Sequence, residues 1–267
     1  MAWRKALRSR NYSVAHFHLN PTQCGIPNDR PRHYALAVLL ESLPSNSASD
    51  VEGKSRNDDK NILNWFEEIK DTNSDKLEDS PPINTSMKAL GVNEPGNLNI
   101  LSPISDYLDP NDDNELDVPN KILNSNSSWC FDILTPSDRR SACFTSSYGK
   151  FVRGTGSVLY QTDGKNIEND QALDVFRLVK PEGREFDKNW KEGLDLSGNL
   201  RYFSSTEIAR LFGFPVAPST ANEQSWMFRF PADCTMKQKW RLLGNSINVK
   251  VASQICEAGL RLVNQFS

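Results

Sequence analysis

Histidine is scarce in this chain: His16, His18 and His33 are the only three in 267 residues. A Ser-His-Asp hydrolase therefore has little support. His16 and His18 fall on one face of an expected strand, with Cys24 nearby, but no fourth ligand is in register for a metal. The five cysteines, Cys24, Cys130, Cys143, Cys234 and Cys256, show no zinc-ligand spacing. Their odd number does not suggest a disulfide framework, so a reducing, intracellular compartment is the simplest expectation. No apolar run approaches the ~18 residues that a membrane span needs. The basic stretch Met1–Arg10 has no apolar core behind it, which excludes a secretory signal. It reads instead as the tail of a helix whose beginning is missing, with a mitochondrial presequence as the weaker alternative. A formal net charge of -3 argues against a protein held to nucleic acid by bulk charge, while leaving room for local basic patches. No internal repeat is present.

Residues 12–19 and 33–40 read as two strands. In the second, Tyr34, Leu36, Val38 and Leu40 alternate with smaller or polar residues. Pro21, Gly25, Pro27 and Pro31 punctuate the connection, which predicts a wide hairpin with a stiff, arginine-bearing loop. Residues 44–120 are rich in Ser, Asn, Asp and Glu and bury too little apolar surface to offset their ordering entropy. They read as a linker, interrupted by one weak helical patch over 61–69. The acids Asp109, Asp112, Asp113, Glu115 and Asp117 lack calcium-loop spacing and read as solvated linker. Residues 128–160 are aromatic and glycine-punctuated, whereas 161–199 read as a polar surface excursion. Ser204 and Glu207 form a Ser-x-x-Glu capping box before Ile208, Ala209, Leu211 and Phe212, and Gly213 is placed to end that helix. A last helix is expected from about Ser246 to Asn264, with Ile247, Val251, Ile255, Ala258 and Leu262 on its packing face.

Three segments carry chemistry. Arg30 and Arg32, spaced i, i+2 on an extended stretch, project to one side, and Pro31 stiffens the backbone between them. That arrangement suits a paired clamp for a phosphate, a carboxylate or the oxygen edge of a base, or a solvated loop end. Leu243-Gly244-Asn245-Ser246-Ile247-Asn248 reads as a helix start with Asn245 or Ser246 as N-cap. Backbone amides at such a start are natural donors to a ligand carboxylate. Arg139-Arg140-Ser141-Ala142-Cys143-Phe144-Thr145, then Tyr148-Gly149-Lys150 and Gly154-Thr155-Gly156-Ser157, places aromatics beside cations. Phe144, Tyr148, Lys150, Phe151 and Arg153 are of the types that stack on and hold splayed bases, although Phe144 and Phe151 also suit an aromatic mini-core. Cys143 has no paired base in reach and reads as packed rather than as a nucleophile.

Together these segments resemble the late motifs of the cytosine-5 methyltransferases. Gly25-Ile26-Pro27-x-x-Arg30-x-Arg32 resembles that family's arginine motif, with Asn28 where glutamine is usual. The stretch from Lys237 to Val249 resembles its last motif, and Arg201–Pro215 resembles the segment that organises target recognition. Cys143-Phe144-Thr145 with Tyr148-Gly149 and Gly154-Thr155-Gly156-Ser157 resembles the tRNA-modifying branch rather than the DNA-modifying relatives. The resemblance covers about residues 11–42 and 128–264. It implies that Arg32 contacts a flipped cytosine, that Arg30 supports the catalytic loop, and that Asn245, Ser246 and Ile247 line the S-adenosylmethionine site. It also implies that Cys143, Phe144, Thr145, Tyr148, Lys150 and Arg153 face RNA. Arg201 is expected in packing, as a buried ion-pair partner.

The family's chemistry also needs a cysteine after proline, a Glu-Asn-Val segment and a glycine-rich loop for the methyl donor. None of the three occurs in this sequence. The expected fold is therefore α/β: the C-terminal part of a Rossmann-like, S-adenosylmethionine-dependent methyltransferase domain plus a small mixed target recognition subdomain. The boundaries expected are terminal strands over 1–43, linker over 44–120, recognition subdomain over 121–215, and a return to the methyltransferase domain over 216–267. The implied activity is methylation of cytosine C5 in a tRNA anticodon loop, chiefly of aspartate tRNA. A chain without the nucleophile is expected to be inactive alone and poorly stable in isolation. The alternatives are a non-catalytic RNA-binding or split-enzyme module, and a DNA cytosine-5 methyltransferase. No membrane partner is expected; a complete protein is expected to be monomeric and cytoplasmic, with the nucleus as a second compartment.

Overall fold

The computed structural model describes residues 2–39, 101–109, 116–125, 127–161, 196–216 and 227–265, together with 171, 173, 174, 176 and 177. The helical patch expected over 61–69 lies outside these residues. The chain divides into two compact units, one of residues 1–24, 31–96 and 250–267, the other of residues 25–30 and 97–249.

In the first unit, helix α1 (Ala2–Arg8) ends at Asn11, whose φ of 62° is a left-handed stop that asparagine tolerates. Strands β1 (Tyr12–Leu19) and β2 (Arg32–Leu39) pair antiparallel from Tyr12↔Leu39 to Leu19↔Arg32, as their alternation predicts. Pro21–Cys24 forms a 3-10 turn. One face of this hairpin sets Phe17, Leu19, Tyr34, Leu36 and Val38 against Val251, Ile255 and Ala258 of the last helix. The expected packing face of that helix thus holds at its centre. The Leu262 side chain lies outside the described residues, and Ile247 lies outside the helix.

The second unit holds the larger core. Helix α2 (Asn120–Leu123) precedes a three-stranded sheet of β3 (Asp132–Leu134), β4 (Ser157–Tyr160) and β5 (Leu200–Arg201). Strand β4 is central, parallel to β3 and antiparallel to β5. Helix α3 (Ser205–Leu211) carries the expected capping box in full: Ser204 Oγ accepts from the Glu207 amide, and the Glu207 carboxylate accepts from the Ser204 amide. Gly213 follows with a φ of 76°, its amide donating to the Arg210 carbonyl. Helix α4 (Met236–Gly244) is capped in the same way by Thr235 and Gln238. Helix α5 (Val249–Gln265) begins three residues later than expected from Ser246.

Two expectations about order need correction. Leu101, Ile104, Leu116 and Val118 are buried in the core of the second unit, so the linker does not extend to residue 120. Sparse apolar residues in a polar stretch can still order it when long-range partners cover them. The excursion over 161–199 is likewise not all surface, because Leu173, Phe176 and Leu196 are buried in the same core. Each such side chain contributes about 1.5–3 kcal/mol on burial, enough to anchor polar neighbours.

Candidate functional site

The arginine loop, the Cys143–Thr145 segment and the Gly244–Ser246 turn meet on one guanidinium. Arg30 is 3% exposed. Its Nη1 donates to the Phe144 carbonyl at 2.7 Å and to Cys143 Sγ at 3.2 Å. Its Nη2 donates to the carbonyls of Gly244 at 2.9 Å and Ser246 at 2.6 Å. The guanidinium carbon also lies 4.7 Å from the centroid of the Phe212 ring. Gly244 is the last residue of α4, so the cation sits at the carbonyl end of that helix, which carries partial negative charge. A planar fork of donors can bridge several carbonyls at once, which an ammonium does less well.

Neighbouring residues fix the same frame. Asn28 Nδ2 donates to Ser141 Oγ and to the Ala142 carbonyl, both at 3.1 Å, and Ser141 Oγ donates to the Pro27 carbonyl at 2.8 Å. The Asn28 position that departs from the usual glutamine is therefore a buried tie to the Cys143 segment. Gly244 has no room for a side chain: a Cβ would stand 2.1 Å from the Ser146 nitrogen. Gly149, with a φ of 70°, would drive a Cβ into the Trp240 ring at 2.3 Å. Asn248 Nδ2 donates to the Leu211 carbonyl at 3.1 Å, and the Val249 amide to the Phe212 carbonyl at 2.8 Å. These two bonds tie the turn to the end of α3.

The expected RNA-facing residues divide sharply. Phe144 and Tyr148 are buried, Phe144 at 1% exposure, and pack edge-on to one another at 5.0 Å between centroids. Tyr148 Oη donates to the Ser157 carbonyl at 2.6 Å and accepts from the Phe203 amide at 2.9 Å. Desolvation drives its phenol well above the usual pKa, with the bond from Phe203 opposing the shift. Neither ring can meet a base from inside the core, so both leave the candidate RNA surface. The Thr145 amide donates to the Thr155 carbonyl at 2.9 Å, which closes the loop. Cys143 accepts from Arg30 and is packed, as its sequence context implied. Lys150 and Arg153 are exposed, and so is Phe151, contrary to the mini-core reading. Sequence reasoning could not separate these rings, because Phe144 and Phe151 share composition and differ only in long-range partners.

The turn at residues 244–248 also differs from expectation. Asn245 is the C-cap of α4, its amide donating to the Arg241 carbonyl, and the Ser246 amide donates to the Leu243 carbonyl. These two amides close a helix instead of opening one, so they are not free donors to a ligand carboxylate. Gly, Asn and Ser suit both ends of helices, and only the Thr235-x-x-Gln238 capping box upstream signals which end this is. What the turn presents outward is the exposed side chains of Asn245 and Ile247.

Arg32 opens β2 in the other unit. It is exposed and donates to the Pro31 carbonyl at 2.8 Å. The two arginines do not act as a paired clamp, since Arg30 is bound to main-chain carbonyls inside the second unit.

Arg201 is buried in an ion pair, as expected. It meets Glu207 through two bonds of 2.8 and 2.9 Å, while Glu207 also accepts from the Asp109 amide at 2.9 Å. Asp109 itself accepts from Ser204 Oγ at 2.6 Å and pairs with Arg210 at 2.8 Å. The acid read as solvated linker is thus part of the network. No cluster of three metal-binding side chains exists among the described residues.

Comparison with known proteins gives one consistent picture. The model of the C-5 cytosine-specific DNA methylase family matches residues 2–260. A human tRNA (cytosine(38)-C(5))-methyltransferase is 31% identical, over 94% of this chain and 64% of that protein. A DNA (cytosine-5)-methyltransferase of Dictyostelium discoideum is 30% identical, over 92% of this chain and 56% of its own length. The crystal structure of the S. pombe Dnmt2 methyltransferase matches with a TM-score of 0.59 and 28% identity, covering 98% of this chain and 60% of that one. The chain spans less than two thirds of the length of these relatives.

Proposed function

From a chain that belongs to the C-5 cytosine-specific DNA methylase family, we propose S-adenosylmethionine-dependent methylation of cytosine C5 in a tRNA anticodon loop, to which these residues contribute the frame of the site. The observation that supports this most is Arg30, which joins the arginine loop, the Cys143–Thr145 segment and the turn after α4 through four hydrogen bonds. A flipped base has to be read by polar groups fixed in place, and a buried fork of this kind fixes the loops that would read it.

The roles follow from the family resemblance and the exposure of each group. Arg32 contacts the cytosine, and Arg30 holds the loops without touching substrate. S-adenosylmethionine supplies the methyl group. One edge of it suits the turn at residues 245–247, where the Asn245 carboxamide offers both donor and acceptor and the exposed Ile247 offers apolar cover. Lys150 and Arg153 meet the RNA backbone. These residues hold no Pro-Cys nucleophile motif, so the chain alone is expected not to transfer methyl groups. Aspartate tRNA is the preferred substrate, the complete protein acts as a monomer, and its compartment is the cytoplasm with access to the nucleus.

The test is methyl transfer from labelled S-adenosylmethionine to unmodified aspartate tRNA, to other tRNAs and to duplex DNA. It compares this chain alone with the chain joined to the N-terminal segment of a relative that carries the Pro-Cys motif. Transfer to the tRNA by the joined protein only is the expected result. Equal transfer to duplex DNA would favour the DNA-modifying reading, for which the Dictyostelium relative is the specific precedent. Tight RNA binding with no transfer in either form would favour a non-catalytic RNA-binding module.

A further inference from the structure

We propose that the exposed ring of Phe151, flanked by Lys150 and Arg153, is a stacking platform for an unpaired RNA base. The inference rests on the RNA-modifying reading above and adds to it the residue that meets a base by its face.

Phe151 is 58% exposed, at the tip of the loop that follows the Cys-Phe-Thr segment. A large ring left in water on a mobile loop would say little. Here the backbone beneath it is fixed on both sides. The amides of Lys150 and Phe151 donate to the Ser147 carbonyl at 3.0 and 3.3 Å, and Thr155 Oγ1 donates to the Phe151 carbonyl at 2.6 Å. Behind them Gly149 presses on the Trp240 ring and Gly156 on the rings of Phe144 and Tyr148. The buried aromatics therefore act as the base on which the exposed one is mounted.

Charge selects the occupant. Lys150 Nζ lies 5.4 Å from the centroid of the Phe151 ring, and the Arg153 guanidinium lies 5.8 Å from that of Trp129. A ring with an ammonium against one face offers the other to a second π system, and the cation then stands ready for the phosphate of the stacked nucleotide. An apolar protein partner would call for a broader apolar surround than one ring with a lysine ammonium against it. Paired bases hide their faces within the helix, so the platform selects single-stranded RNA.

The experiment measures affinity of the full chain for a labelled RNA hairpin with an unpaired loop, and for a fully paired duplex of the same stem, at several salt concentrations. Phe151→Ala is expected to weaken hairpin binding about 10-fold, within the range that loss of one base–aromatic stack produces, and to leave duplex binding within about twofold. Phe151→Trp should restore hairpin binding and Phe151→Leu should not, since leucine keeps apolar area without a π face. Lys150→Ala and Arg153→Ala should each lower the salt dependence by about one phosphate contact on both RNAs. An exposed position leaves the melting transition of all these variants unchanged, which separates loss of stacking from loss of fold.

The proposal is overturned if Phe151→Ala leaves hairpin affinity intact, if hairpin and duplex weaken alike, or if the leucine variant binds as well as wild type. It is also overturned if the unsubstituted chain binds no hairpin, in which case the ring belongs to a protein contact. None of these results decides the methyltransferase reading, which stands or falls on methyl transfer by the joined protein.

Discussion

At residue scale, the arginines on either side of Pro31 do different work. Arg30 is a strut whose bonds all described above end on one thiol and three carbonyl oxygens. Removing it leaves buried carbonyls without donors and a cavity beside Phe212. Arg30→Ala should therefore cost about 3 kcal/mol or more, and Arg30→Lys should recover only part of that, as read by urea denaturation. Tyr148 makes a second residue-level prediction. Its burial raises the folded-state pKa above the unfolded value of about 10. Below pH 10 both states keep the proton and the stability is full. Above it the unfolded chain ionises first, the folded state binds more protons, and stability falls as pH rises. Tyr107 and Tyr202, raised chiefly by desolvation, act in the same direction. Denaturation midpoints measured from pH 8 to 11 should decline above about pH 10, and less steeply in Tyr148→Phe. An unchanged slope in that variant would remove Tyr148 from the account.

At the scale of elements, two helices carry the same capping box in different settings. Ser204 is buried and also donates to Asp109, whereas Thr235 is exposed and its hydroxyl meets only the capping partner Gln238 in the bonds described. Ser204→Ala should cost about 2 kcal/mol and Thr235→Ala about 0.5–1 kcal/mol. Equal losses in the two variants would show that the Asp109 network adds nothing. Capping also marks how far local sequence carries. The Ser204 box was readable because an apolar-periodic run follows it at once. The Thr235 box is hard to see in the sequence because Lys237, Gln238 and Lys239 mask the face formed by Met236, Trp240 and Leu243. With α4 unrecognised, Gly244-Asn245-Ser246 read as a beginning when it is an end. Alternation placed β1 and β2 within a residue of their observed bounds, since period-two burial is a local property of a half-buried hairpin.

At the scale of the whole molecule, the sequence motifs proved legible as a set before their individual roles were. Their order carried the family, and the family model spans residues 2–260. What stayed hidden depends on contacts far apart in sequence: Leu101 and Ile104 beneath a polar linker, Phe176 in a polar excursion, Asp109 against Arg210, and the split between buried Phe144 and exposed Phe151. No composition rule separates these, because burial is decided by partners that only the fold supplies.

In the proposed division of labour Arg30 holds the frame and Arg32 acts on the base. That division is tested most directly by methyl transfer to tRNA in the joined protein, with Arg32→Ala measured beside wild type and each protein's melting followed in parallel. Transfer by Arg32→Ala is expected to fall roughly 100-fold, the scale of losing one positioned polar contact to a reacting group, with the melting temperature unchanged. Wild-type transfer by Arg32→Ala, or a loss that only tracks a fall in melting temperature, would contradict it.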